Sequence, residues 1–411
     1  MTERKRVDAM HCTRGAWRAF VGCCMLCATT FGLPLLCFGV FVSPLVAQFD
    51  SSVTEVNLYY TLMTGSAVVS CAVGERLLVR AMRPTVLVGA ALMGAVYGAL
   101  AIVPTVPMVW LAGLVAGLCY PLCSSVLTPI LINQWFVERQ GTYIGIAFAV
   151  VGVAGVVVSP LLTQLILTFG WQVALGVMAG LVAAGGVLSA AIIRPHMSCE
   201  NAGQPARKAS ASAEAPIAGA KESLRRFPVY TPVALACLLC GFVGIMNTQI
   251  NAISQQSGFD AMEAATALSC MSVGLLAGKI GLGVVKDAKD GVFAITVGVI
   301  VGVVGFALMI AGLMGAGVAW FFAGAALAGF TTCLGTIAPA LLMGETFPTR
   351  LYGRAVAMGS AFINAGMAVS AFFYSMVFDL AGSYVPVVCA CIGGAAFIVA
   401  LCHRALRLNH A

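Results

Sequence analysis

Apolar residues dominate the chain in long runs separated by short polar clusters. Twelve runs of 18 or more residues lie approximately at 18–47, 57–80, 85–105, 108–133, 142–168, 171–193, 229–253, 262–285, 291–314, 316–341, 354–378 and 384–403. About 20 helical residues cross a hydrocarbon core of about 30 Å, so each run is long enough to span a bilayer. The pattern predicts an all-α membrane protein of twelve transmembrane helices. The runs form two groups of six, residues 1–193 and 229–411, separated by a segment at 194–228 rich in Ala, Ser, Gly, Pro and charge. That composition reads as a flexible cytoplasmic linker.

The halves repeat each other at a constant offset of 211 positions. Ala112-Gly113 matches Ala323-Gly324, Phe136 matches Phe347, Arg139 matches Arg350, Gly155 matches Gly366, and Val158-Ser159 matches Val369-Ser370. This offset superposes spans four to six on ten to twelve in one orientation, the parallel repeat of a carrier built from two pseudo-symmetric six-helix bundles.

Composition agrees with the pattern and narrows the class. The 411 residues are 61% hydrophobic and 9% charged, with a mean hydropathy of +1.00, outside the range of soluble domains. With the N-terminus cytoplasmic, every Lys and Arg except Lys279 falls on one side, and the predicted outer loops hold only acids such as Asp50, Glu55, Asp260, Glu263 and Asp379. The positive-inside rule therefore puts both termini inside. The net charge of +7 is this bias and calls for no nucleic acid partner. The first apolar run lacks a clear small-residue cleavage site and reads as a true span. The sixteen cysteines lie mostly within spans, and no CxxC flanked by His marks a metal site, so they read as small buried hydrophobes. No intramembrane His, Asp or Glu constellation and no nucleotide loop is present; an enzyme is the least favoured class, and no cofactor or metal is expected.

The segment SVGLLAGKIGLGVVKDAKD, 272–290, places Lys279 inside an otherwise uncharged apolar span. An intramembrane lysine is by default a functional group facing an interior or a wet path. Snorkelling is the competing reading, but the nearest polar end lies about 10 Å away, longer than the side chain reaches comfortably. Gly278, Gly281 and Gly283 suggest a closely packed interior face. Polar residues near the midplane that complete a candidate cavity are Tyr120, Ser124, Ser125 and Thr128 in span four, Asn247 and Asn251 in span seven, Thr331, Thr332 and Thr336 in span ten and Asn364 in span eleven. Interhelical hydrogen bonding is the alternative role for each. Tyr59 and Tyr60 fit an outer aromatic belt or gate. Pro34, Pro121, Pro129, Pro160 and Pro339 allow helix bends.

The segments 133–161 with Gly170-Trp171, and 345–384, resemble the span four to five junction and its counterpart in the major facilitator superfamily, within it the branch of monocarboxylate transporters and oxalate/formate antiporters. The resemblance covers essentially the whole chain. It implies alternating access, with Lys279 at the position that binds the substrate carboxylate. It also implies cytoplasmic latches, here Glu75, Arg76, Arg80, Arg83, Asp287, Arg139 and Arg350. The chain departs from the pattern at Leu78 and Leu275, where aspartates are expected, and at Leu36, where some relatives carry lysine. With one cation available, charge balance favours a monoanion. The reading is a monomeric plasma-membrane carrier, surrounded by lipid, of a small organic anion, most simply a monocarboxylate, moved by symport, exchange or uniport. The rivals are efflux of an amphipathic compound and a non-transporting membrane sensor.

Overall fold

The computed structural model describes residues 3–51, 53–136, 139–193 and 224–410. Among these, twelve helices are long and apolar enough to cross a membrane. In chain order they are α1 (Gly15–Val42), α2 (Glu55–Gly74), α3 (Arg76–Ile102), α4 (Val106–Trp135), α5 (Gln140–Phe169) and α6 (Trp171–Ile192), then α7 (Tyr230–Ile250), α8 (Thr266–Ala288), α9 (Gly291–Ala316), α10 (Val318–Thr346), α11 (Thr349–Phe378) and α12 (Val385–Leu408). The predicted linker at 194–228 lies outside the described residues up to position 223.

The turn between α2 and α3 is tighter than the sequence pattern suggests. Helical hydrogen bonding runs from Val53 to Ile102 and is interrupted only at Ala81, with φ −154° and ψ 59°. Pro84, lacking an N–H, falls just beyond this kink.

Four helices, the first, fourth, seventh and tenth, break near their middles. In α1 the backbone widens to a π-helix over Cys27–Cys37 around Pro34, and in α4 over Pro121–Ser125. In α7 the regular helix stops at Gly244 and restarts at Met246. In α10 it stops at Thr332 and restarts at Leu334. Proline explains the first two, since its ring removes one backbone donor and crowds the preceding turn. Breaks at membrane depth are tolerated where they are buried in protein or line a cavity.

Small residues let the helices approach closely. A Cβ at Gly117 in α4 would lie 2.0 Å from the Met63 carbonyl oxygen of α2. Ser66 and Ser70 of α2 donate across the same seam to the Leu114 and Leu118 carbonyls at 3.0 and 2.6 Å. In the second half, a Cβ at Gly274 of α8 would lie 1.7 Å from the Ala326 carbonyl oxygen of α10.

Tyr59 departs from the belt or gate expected of it. It is fully buried, its hydroxyl donates to the Pro34 carbonyl at 3.1 Å and meets the Tyr97 hydroxyl at 2.6 Å. Its ring stacks on Phe38 at 3.7 Å. The hydroxyl is thus occupied at the broken turn of α1, and Tyr60 lies edge-on beside it. The described cysteines are free thiols and mostly buried, Cys389 being exposed.

The α2–α4 seam yields a direct stability test. Gly117→Ala should cost about 1–3 kcal/mol through overpacking against backbone that has no side chain to move aside. Gly98→Ala, with nothing within 4 Å of its would-be Cβ, should leave the thermal unfolding midpoint in detergent unchanged or slightly raised.

Candidate functional site

Helices α5 and α8 join the two halves through bare backbone. A Cβ at Gly141 would lie 2.6 Å from the Gly283 carbonyl oxygen, and one at Gly145 would lie 2.3 Å from that of Lys279. Gly278 packs instead against Cys333 and Phe330 of α10, while Gly281 faces open space. Of the three glycines flanking Lys279, two therefore serve close packing and Gly281 does not.

This approach brings the Lys279 ammonium to the opposite half. Lys279 is 1% exposed, and its Nζ donates to the Phe148 carbonyl of α5 at 3.1 Å. The Cys27 and Cys333 thiols are its electrostatic neighbours, and among the described residues no carboxylate pairs with it. A single carbonyl leaves most of an ammonium's donor capacity unused. The burial also rules out snorkelling.

Lys279 opens onto a cavity of about 30 Å³ lined by Asn247, Thr248, Thr332 and Thr336 together with Leu35, Leu36, Val151, Leu275 and Met367. That volume holds little more than a water molecule, so the cavity is too small for a substrate in this conformation. Asn247 is 5% exposed, and its Oδ1 has no hydrogen-bond partner. A buried amide left unpaired costs about 1–3 kcal/mol unless a ligand or water satisfies it. The side chain of Asn251 lies outside the described residues.

A second cavity of about 20 Å³ shares the Leu35, Thr336 and Met367 walls and adds Tyr120, Ser125, Ser360 and Asn364. Here the halves meet again: the Tyr120 hydroxyl donates to Asn364 Oδ1, while Asn364 Nδ2 donates to the Ser360 carbonyl at 2.8 Å. The Tyr120 ring is held by stacking on Phe31 at 5.0 Å.

Other candidates are spent on structure. Ser124 donates to the Tyr120 carbonyl at 2.8 Å, and Thr331 bonds the Gly298 carbonyl of α9 at 2.9 Å. Thr128 meets the Cys27 thiol at 3.4 Å, one residue removed from the lysine. Thr332 lines the first cavity and donates weakly to Gly329 at 3.3 Å. Thr248 and Ser360 were not signalled by the sequence, nor was Phe148, which acts through a backbone atom any residue carries.

At the Arg- and Lys-rich end, Asp287 caps α5 from the other half. Its Oδ1 accepts from the Gly141 N–H at 2.8 Å, and its Oδ2 accepts from the Thr142 N–H and hydroxyl at 2.7 and 2.6 Å. A carboxylate at a helix N-terminus satisfies orphan donors and opposes the positive end of the dipole. The corresponding contact of the first half is apolar: Leu78, 2% exposed, packs in a cluster with Ala357 of α11. Arg83 stays within its own half, donating to the Ile193 carbonyl at the end of α6 at 2.8 Å. Arg76, Arg80, Arg139 and Arg350 are exposed, Arg139 in a left-handed backbone turn before α5. The side chain of Glu75 lies outside the described residues.

The Major Facilitator Superfamily model matches residues 20–309. The chain belongs to the major facilitator superfamily. It is a membrane transporter of that superfamily, and its fold matches solved members. The proton:xylose symporter XylE superposes with a TM-score of 0.72 at 14% identity, covering 96% of this chain and 95% of that one. The transporter FucP in its outward conformation gives 0.70 at 12% identity over 94% and 99%. The human organic anion transporter MFSD10 gives 0.66 at 14% identity over 97% and 99%. Among sequences, the uncharacterized MFS-type transporter YhjX of Escherichia coli (strain K12) is 24% identical over 304 residues, 72% of each chain.

The cap between the halves of this superfamily member sets a second test. Asp287→Ala removes three charge-assisted hydrogen bonds at an exposed position, a loss of about 1–2 kcal/mol. Spin labels at the ends of α5 and α8 should then report a distance distribution shifted toward separation by roughly 5- to 30-fold in population. Arg80→Ala should leave it unchanged.

Proposed function

We propose that this transporter carries a small organic anion with one negative charge, most simply a monocarboxylate, with Lys279 as the anion-binding group. The halves 1–193 and 229–411, joined by the linker at 194–228, would rock around the midplane cavities, with both termini cytoplasmic in a plasma membrane. One observation carries the reading: the cavity beside Lys279 has no other ionisable side chain in its lining. Leu36 and Leu275, the positions at which the resemblance to monocarboxylate carriers implies further charges, both line it as apolar walls.

The chemistry follows from charge balance. A carboxylate leaves water only if a fixed cation and hydrogen-bond donors replace its hydration. Lys279 offers the cation and spare N–H groups, and the apolar walls suit a short carbon chain. An ammonium is a point charge without a bidentate fork, so recognition of the carboxylate is geometrically tolerant. A dianion would leave one charge uncompensated in a closed, largely apolar site.

Uptake of radiolabelled monocarboxylates into proteoliposomes, with and without a pH gradient, tests this. Wild type should show saturable uptake of at least one acid. Lys279→Ala should lower kcat/KM by about 10- to 100-fold, the loss expected for a charge-assisted hydrogen bond at a dry site. Uptake indifferent to Lys279 would sink the anion reading in favour of efflux of an uncharged or cationic amphiphile. No transport of any compound by a folded protein would favour a sensor.

A further inference from the structure

The second cavity makes a chemical demand that a plain alkyl acid does not meet. Ser125 lines it with a buried Oγ that has no hydrogen-bond partner. Thr336, shared between the two cavities, has its hydroxyl proton committed to the Cys333 carbonyl at 2.9 Å, which leaves its oxygen free to accept. Tyr120 and Asn364 complete a neutral hydrogen-bonding lining, with no Lys, Arg, His, Asp or Glu among the lining residues. An unpaired buried hydroxyl beside such a lining is costly unless water or a ligand group occupies the space.

Resting on the monocarboxylate reading, we infer that the two cavities are subsites for one ligand: the carboxylate at Lys279, and an uncharged hydroxyl further along its chain at Ser125, Thr336 and Asn364. The substrate class is then a monocarboxylate hydroxylated beyond the α-carbon. Spacing supports this. Thr332 borders only the first cavity and Thr336 both, and they lie four residues apart across the break at Cys333, on the order of 6 Å or roughly four to five carbon–carbon bonds. The ligand hydroxyl accepts from Ser125 and donates to Thr336 or Asn364, taking the place of water. A second carboxylate finds no cation there.

The test compares radiolabelled butyrate, 4-hydroxybutyrate and succinate in proteoliposomes holding wild type, Lys279→Ala, Ser125→Ala or Asn364→Leu. The quantity read is the ratio of KM for butyrate to KM for 4-hydroxybutyrate within one protein, so a general loss of folding or turnover cancels. In wild type the ratio should be about tenfold or more, because sites built around a hydroxyl discriminate against analogues lacking it. It should fall toward one in Ser125→Ala and in Asn364→Leu, and succinate should be no better than butyrate. A wild-type ratio near one, a ratio that persists in both variants, or a preference for succinate overturns the two-subsite inference. If the ratio alone fails and uptake still depends on Lys279, the monocarboxylate reading stands, whereas a preference for succinate overturns that reading as well. Uptake that ignores Lys279, or no uptake of any of the three acids, overturns both.

Discussion

A buried ammonium bonded to a backbone carbonyl of the opposite half is the constraint around which this protein is arranged. Taking that charge out of water costs several kcal/mol even after relaxation, so the fold must bring an acceptor to it. The acceptor is the Phe148 carbonyl. It comes within reach because α5 and α8 touch through Gly141, Gly145 and Gly283, where any side chain would collide with backbone. The glycines therefore do more than pack helices: they set the separation at which a lysine on one half can read a carbonyl on the other.

The broken helices do the complementary work. Straight helices bury all their polar backbone groups in their own ladders, leaving little for a ligand. Breaks in α1, α4, α7 and α10 interrupt those ladders beside the two cavities, and the residues at the breaks, Leu35, Ser125, Ile245 and Thr332 among them, form the walls. Tyr59 shows what it takes to hold such a break closed to lipid: its hydroxyl meets the Pro34 carbonyl, and its ring is packed against Phe38.

Much of this was legible in the chain. Span number, and an interior rather than snorkelling lysine, follow from run lengths and from the distance between Lys279 and the nearest polar end. The cavity residues Asn247, Thr332 and Asn364 follow from polar groups stranded at midplane depth. What stayed hidden depends on which helix face meets which neighbour, information that hydropathy does not carry. Phe148 contributes a backbone atom, so its side chain gave no signal, though the Gly141 and Gly145 spacing one turn below it marks the seam. Gly281 shares the composition of its neighbours and faces open space. The breaks in α7 and α10 lack a proline at Ile245 or Cys333, and Tyr59 looked like a belt residue because the pattern cannot distinguish a tyrosine at a bilayer edge from one paired to another tyrosine in a core.

The repeat is unequal where the halves meet, and the inequality is informative. At one seam Asp287 ties α8 to the first turn of α5 with three hydrogen bonds; at the related seam Leu78 belongs to an apolar cluster that reaches Ala357 of α11. Directional bonds to a helix end are made or broken over a short displacement, whereas an apolar contact loses area gradually as surfaces slide. The Lys279 bond to Phe148 lies along the same α5–α8 seam, eight residues before Asp287. One seam thus holds both the buried ammonium and the carboxylate cap, so the directional contacts between the first and second groups of spans are concentrated on the α5–α8 pair.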